Sequence, residues 1–207
     1  MTMLMIRGYL VFTLAAMSLA PQASSSLGAA TDTNEGTGWK LYTNARFGFS
    51  VRYPDNWRLG NPLTDGIGVT LYPPIEHSLV ALSGHMNVVG GGSQDGRQTL
   101  KEFADAHRRI ITDLYEKKAI TLKWRQDQNT MLAGFPAKQL IFTYVDGKQG
   151  PIVEHHIISL GRNEGRGIRV KVALPDEERL LSTIKKMLET YQPGRDQNAV
   201  GPIVPKQ

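Results

Sequence analysis

Phe47, Phe49, Val51 and Tyr53 alternate with Gly48, Ser50 and Arg52, the period of two expected of a strand with one buried and one wet face. Pro54-Asp55-Asn56 ends it. The same alternation recurs at Ile67-Val69-Leu71, at Ile120-Leu122-Trp124 and at Ile168-Val170-Val172-Leu174. Val80 to Val89, Leu140 to Val145 and Ile152 to Leu160 are more continuously apolar and predict central strands. Asp146-Gly147 and glycines 161, 165 and 167 punctuate the later strands, so residues 120–174 are expected to form an antiparallel meander.

Two segments change period. Between Thr99 and Lys118 the apolar residues Leu100, Phe103, Ala104, Ile110, Ile111, Leu114 and Tyr115 follow helical spacing, and Thr99 with Glu102 is placed as a capping box. His107 falls on the same stripe and is expected to be a hydrogen-bonded histidine at the core edge. The second helix is predicted from Asp176 to Thr190, with Leu180, Leu181, Ile184, Leu188 and Tyr191 on one face, acids first, lysines late, and Pro193-Gly194 beyond. Together these elements predict an α+β domain, a mainly antiparallel sheet covered by helices, over residues 39–191. There is no internal repeat.

The ends read differently. Arg7, the apolar run from Tyr9 to Ala20 and small residues through Ser26 have the layout of a secretory signal peptide. Twelve helical residues cover about 18 Å, short of a bilayer core of about 30 Å. Cleavage is expected after Ser25, with Ala23 three places before the cut; Gly28 with Ala30 is the other site of this kind, and an uncleaved anchor is the alternative. Residues 26–38 are expected to be a flexible leader and 192–207 a disordered tail.

The residues from Trp39 to Trp57 carry a family signal. Trp39-Lys40-Leu41-Tyr42 and then Arg46-Phe47-Gly48-Phe49-Ser50-Val51-Arg52-Tyr53-Pro54-Asp55-Asn56-Trp57 resembles the opening of the PsbP-like superfamily, which includes photosystem II extrinsic subunits and bacterial DcrB-like envelope proteins. Physically this is a half-buried strand stopped by a proline, followed by a tryptophan that tucks back over the sheet. The order of elements matches over about 150 residues. The resemblance implies an αβα sandwich and an accessory, binding or assembly role, with no catalytic residues to carry over. It also implies a soluble periplasmic or extracellular domain. This chain departs from the lipoprotein branch in having no lipobox cysteine, and its amino terminus reads as a bacterial secretory signal, unlike a plastid transit peptide.

Composition narrows the chemistry. The 207 residues include no cysteine, which excludes disulfides, thiol nucleophiles, cysteine zinc sites and lipid attachment through sulfur. Loss of Arg7 with the signal takes the formal net charge from +5 to +4, a mild excess and no nucleic-acid signature. Gly91 to Gln98 has the glycine spacing of a phosphate loop, but Arg97 and Gln98 stand where lysine and a hydroxyl residue are needed, leaving at most backbone amides for an anion.

Glu154 and His156 are the metal candidates, since they point to one face of a strand next to His155; His77 and His85 would have to come from loops to complete a set. No Gly-x-Ser-x-Gly or His-Glu-x-x-His nucleophile motif occurs in the mature part. The carboxylate pairs Asp55 with Asp65 and Glu177 with Glu178 fall in turns and a helix start, where acids have structural reasons to be. Lys123, Arg125, Arg169 and Lys171 are candidates for a basic patch toward an anionic surface.

The sequence thus predicts a noncatalytic, exported binding or assembly protein with an envelope protein as partner, no cofactor, no nucleic acid and no membrane span in the mature chain. The alternatives are a small-ligand or divalent-metal carrier using Glu154 and His156, and a hydrolase with a loop-borne site.

Overall fold

The computed structural model describes residues 33–34, 38–63, 66–86, 99–160 and 165–194. The predicted signal peptide, the Gly91–Gln98 loop, Asp65 and residues 195–207 lie outside the described residues.

A small antiparallel sheet is built from β1 (Thr33–Asn34), β2 (Trp39–Thr43) and β3 (Ser50–Pro54). A larger one contains β4 (Arg58–Pro62), β5 (Gly68–Tyr72), β6 (Leu79–Met86), β7 (Lys123–Leu132), β8 (Phe135–Asp146), β9 (Gly150–Leu160) and β10 (Gly165–Ala173). Its spatial order is β4-β5-β6-β10-β9-β8-β7, antiparallel throughout, so the predicted meander from β7 to β10 is present and its last strand docks on β6.

α1 (Leu100–Glu116) starts at the predicted capping box: the Glu102 amide donates to Thr99 Oγ1 at 3.2 Å and the Thr99 amide to Glu102 Oε2 at 2.8 Å. It buries Phe103, Ala104, Ala106, Ile111 and Tyr115 over β8 and β9, while Ile110, assigned to the stripe by spacing, is half exposed. α2 (Glu177–Glu189) buries Leu180, Ile184 and Met187 against the opposite face of the large sheet and the small sheet. There Val69, Leu71, Val80, Leu82, Ile168, Val170 and Val172 join Phe49, Val51, Tyr53 and Trp57 in the main core. Trp57 is buried, as the resemblance implied.

Four boundaries move for local reasons. Asn44 Oδ1 accepts from the Arg46 and Phe47 amides, at 3.1 and 2.8 Å, and Gly48 takes φ +69°, so a turn replaces the start of the strand expected from Phe47 and β3 begins at Ser50. β7 continues through Gln126-Asp127-Gln128-Asn129, polar residues of an edge strand that hydrophobic alternation cannot detect. Within the expected leader, Thr33 and Asn34 pair with Leu41 and Lys40. Gln192 pairs with Ser50 through two backbone bonds of 2.8 and 2.9 Å, so regular pairing passes one residue into the expected tail. Among the described residues no helix is long and apolar enough to cross a membrane.

Candidate functional site

Strand β9 sends consecutive side chains to opposite faces, so Glu154 and His156 enter the space beneath α1 and His155 enters the space beneath α2. Both faces are covered at this point. Glu154 has 0% exposure, His155 2% and His156 7%.

Under α1, Glu154 is the hub. Its Oε1 accepts from Tyr115 Oη at 2.6 Å, Tyr144 Oη at 3.0 Å and Arg169 Nη2 at 2.8 Å; its Oε2 accepts from Arg169 Nε at 2.8 Å and from His156 Nε2 at 2.9 Å. Arg169 makes a bidentate pair from the neighbouring strand β10. The carboxylate receives five hydrogen bonds, filling its acceptor capacity.

These contacts order the protons. A carboxylate only accepts, so His156 carries hydrogen on Nε2 and, when neutral, presents a lone pair at Nδ1. His107 Nε2 lies 3.0 Å from that Nδ1 and therefore donates to it. The chain runs from α1 to β9: His107 Nε2–H to His156 Nδ1, His156 Nε2–H to Glu154.

Burial pushes His107 down to about 3, reinforced by the facing His156 and by the Arg169 charge. Burial also lowers His156, although Glu154 opposes it. For Glu154 burial works to raise the pKa, but the Arg169 charge and the hydrogen bonds from His156 and Arg169 overcome it and hold the carboxyl well below its ordinary range. Burial and then the Glu154 charge raise both Tyr115 and Tyr144, which keep their protons. At neutral pH the set holds one anion and one cation, with two neutral imidazoles and two phenols.

His155 makes a separate contact on the other face. Its Nε2 donates to Glu177 Oε1 at 2.9 Å, Glu177 Oε2 accepts from Arg125 Nη1 at 2.8 Å, and the Gln139 amide nitrogen lies 3.4 Å from His155 Nδ1. Burial lowers His155 despite Glu177. This ties β9 and β7 to the first turn of α2.

Glu154 and His156 therefore meet, as the strand spacing predicted, and His107, expected only as a hydrogen-bonded histidine at the core edge, joins them. A metal ion at the pair would have to displace Arg169. Among the described residues there is no group of three or more His, Asp or Glu that could hold a metal. His77 sits in a turn 3.2 Å from Glu76; the side chain of His85 is not described. The four cations named as a basic patch do not gather: β7 and β10 are separated by β9 and β8, Arg125 pairs with Glu177, and Arg169 pairs with Glu154. The hydrogen-bonding roles of Tyr115 and Tyr144 and the pairing of Arg169 with Glu154 were not foreseen. The Asp146-Gly147 turn held the signal for Tyr144, because it sets Phe142 opposite Glu154 and Tyr144 diagonal to it.

Clefts of about 190 Å³ beside Trp57, Ile75 and Leu180 and about 400 Å³ beside Ile120, Leu122 and Trp124 lie away from this cluster.

No family model matches the chain, and no curated protein matches it. Solved structures do. The solution structure of the cyanobacterial PsbP protein CyanoP from Synechocystis sp. PCC 6803 is similar with a TM-score of 0.56 at 10% identity, covering 83% of this chain and 98% of that one. A crystal structure from Bacteroides thetaiotaomicron VPI-5482 aligns with a TM-score of 0.44 at 10% identity over 72% of this chain and 46% of that one. PA94, a protein of unknown function from Pseudomonas aeruginosa, aligns with a TM-score of 0.45 at 15% identity over 75% and 96%. The likeness to CyanoP shows that this chain, a mostly antiparallel sheet with two helices, has a PsbP-like fold.

Proposed function

We propose that the protein is an exported, noncatalytic accessory protein of the cell envelope, a PsbP-like αβα sandwich over residues 39–191 that works by binding another protein. One observation carries this reading. The groups best suited to acid–base or metal chemistry beneath α1, Glu154, His156, Tyr115 and Tyr144, are engaged with one another, with Arg169 and with the Nε2–H of His107. A general acid or base needs a lone pair or proton directed at a substrate; here each carboxylate oxygen is directed at protein donors. The cluster acts as a polar lock that fixes the register of α1 on the sheet, leaving the outer surface to carry function. The likeness in fold to CyanoP supports an accessory role by analogy, and the apolar run from Tyr9 to Ala20 supports export.

The test is capture of partners by the tagged full chain, expressed in its own cells and isolated from an envelope fraction, with the bound material identified by mass spectrometry. A reproducible, stoichiometric protein partner is expected. Recovery of the chain in the cytoplasm, or an envelope preparation with no protein above background, would overturn the reading.

A further inference from the structure

Among the described residues, the face of the large sheet that carries Glu154 is only half covered. Over β8 and β9, the side chains of Leu140, Phe142, Tyr144, Ile152, Glu154, His156 and Ile158 are buried beneath α1. On the adjoining strands of the same face the residues are Arg169 and Lys171 of β10, Leu79 and Ala81 of β6, Thr70 and Tyr72 of β5, and Arg58 of β4. None of these is buried. Their partners on the other side of the same strands, Val170, Val172, Val80, Leu82, Val69 and Leu71, are in the main core. Among the described residues, this sheet face is finished by a helix over one half and left open over the other.

The open half has its own chemistry. Not one Asp or Glu occurs in β4, β5, β6 or β10. Arg58 stacks on Tyr72, 4.1 Å from the ring centroid; Lys171 Nζ reaches Gln149 Oε1 at 2.8 Å; and the side chain of Arg169, held rigid by Glu154, keeps 34% of its surface exposed. Between these cations, Leu79, Ala81 and the Tyr72 ring make an apolar floor. Asp146, the last residue of β8, has its pKa lowered first by the Lys148 amide, then by the Gln149 amide and, to a smaller extent, by the Lys171 charge, so its carboxylate is already engaged in the turn.

Shape selects the occupant. α1, a cylinder about 10–12 Å across, stands beside the open strip as a shoulder. From β10 to β4 the strip spans three strand spacings, about 14 Å, room for one helix and not for two. A flat bilayer meets the shoulder before it meets Lys171 or Arg169, whereas a helix lies down beside α1 and completes the layer. An apolar stripe on that helix would match Ala81, Leu79 and Tyr72, and flanking carboxylates would match Arg58, Lys171 and Arg169.

We infer that the open half of this face, centred on Thr70, Ala81 and Lys171, docks an acidic amphipathic helix of a partner protein. The inference rests on the accessory reading above and supplies the place and the partner chemistry that the reading lacks.

The experiment is site-directed photocrosslinking in the full chain in its own cells. Benzoylphenylalanine is placed at Ala81 and, in a second chain, at the exposed Ile110 on α1 as a control, and crosslinked peptides are sequenced. Ala81, unlike Ile110, is expected to capture one protein through a segment with helical apolar spacing flanked by Asp and Glu. Lys171→Glu combined with Arg58→Glu should lower the yield at least tenfold, and Lys171→Arg should keep it. Arg58→Glu alone, on an exposed edge position, serves if the double variant does not fold, and should lower the yield about threefold. A crosslink to residues 1–37, 87–98, 161–164 or 195–207 of the same chain, to a second copy, to lipid or to nothing overturns the inference, as does a yield that charge reversal leaves unchanged. A partner captured equally by the wild type and the reversed variant removes this surface and leaves the accessory role standing; a chain that captures no partner removes both.

Discussion

Glu154 and Arg169 sit on neighbouring strands without facing one another: the register pairs Glu154 with Lys171 and Arg169 with His156, so the guanidinium crosses diagonally to reach both carboxylate oxygens at 2.8 Å. The directly opposed lysine turns outward to Gln149. The diagonal places the cation of the buried pair toward the open half of the sheet and the anion beneath α1.

Removing Arg169 leaves a buried anion without its counter-charge. Arg169→Met is expected to destabilise the fold by about 3 kcal/mol, the low end for breaking a buried pair because the arginine is partly exposed. Glu154→Leu combined with Arg169→Met should recover most of that loss. Urea denaturation of the three proteins checks it; a double variant as unstable as the single one would show that the pair is not the unit.

Each tyrosine gives a charged acceptor one hydrogen bond. Tyr115→Phe is expected to lower stability by about 2 kcal/mol, and Tyr144→Phe, with the longer bond, by less. Both should raise the Glu154 pKa, seen as an acid-unfolding midpoint moved to higher pH.

The histidine chain predicts an acid-labile fold. An unfolded His107 titrates near 6.5 and the folded one near 3, so between those limits the unfolded chain binds more protons and stability falls as pH falls. His155 and His156, also lowered, act in the same direction. Glu154, lowered from 4.5, adds a further loss below that value, and the raised tyrosines remove stability as pH climbs past 10. Denaturation free energy measured from pH 7.5 to 4 should drop, and His107→Gln should flatten the slope by up to about 1.4 kcal/mol per pH unit, the contribution of one proton. An unchanged slope in the variant would place the titration elsewhere.

The metal-carrier alternative makes an opposite claim about Arg169. With the guanidinium in place, Zn²⁺, Mn²⁺ and Ca²⁺ are expected to leave the melting temperature of the chelator-treated protein unchanged. A rise that grows with metal concentration and disappears in His156→Gln would support a carrier and count against the lock.

Gly165 faces the Phe103 ring so closely that a Cβ has no room beside it. Gly165→Ala should therefore lift the start of α1 and destabilise by about 1–3 kcal/mol, with near-ultraviolet circular dichroism reporting the change in aromatic packing.

The helices were legible because their signals are local: Thr99 with Glu102 fixes one start, and the apolar stripe through Leu180 and Ile184 fixes the other face. β4 and the polar half of β7 were not, because edge strands need no alternation of burial; β4 contains Pro62 and Gly60, and β7 is exposed along Arg125 to Asn129. The Glu154 and His156 pair was visible from a spacing of two. Arg169 was not, since its partner depends on the β9–β10 register, which neither period-two alternation nor glycines 161, 165 and 167 specify in sequence. Tyr115 was visible as a buried residue, but its hydroxyl was not, because an apolar stripe does not reveal where a polar tip ends.

Three consecutive residues of β9 fasten elements on both faces of the sheet: Glu154 and His156 hold Tyr115 and His107 of α1, and His155 holds Glu177 of α2. A strand fixed in this way transmits slippage. If α1 detaches and β9 shifts along its neighbours, His155 moves with it and the first turn of α2 loses its anchor on the far side. The two helices, separated by the sheet, should then open to hydrogen exchange as one cooperative unit.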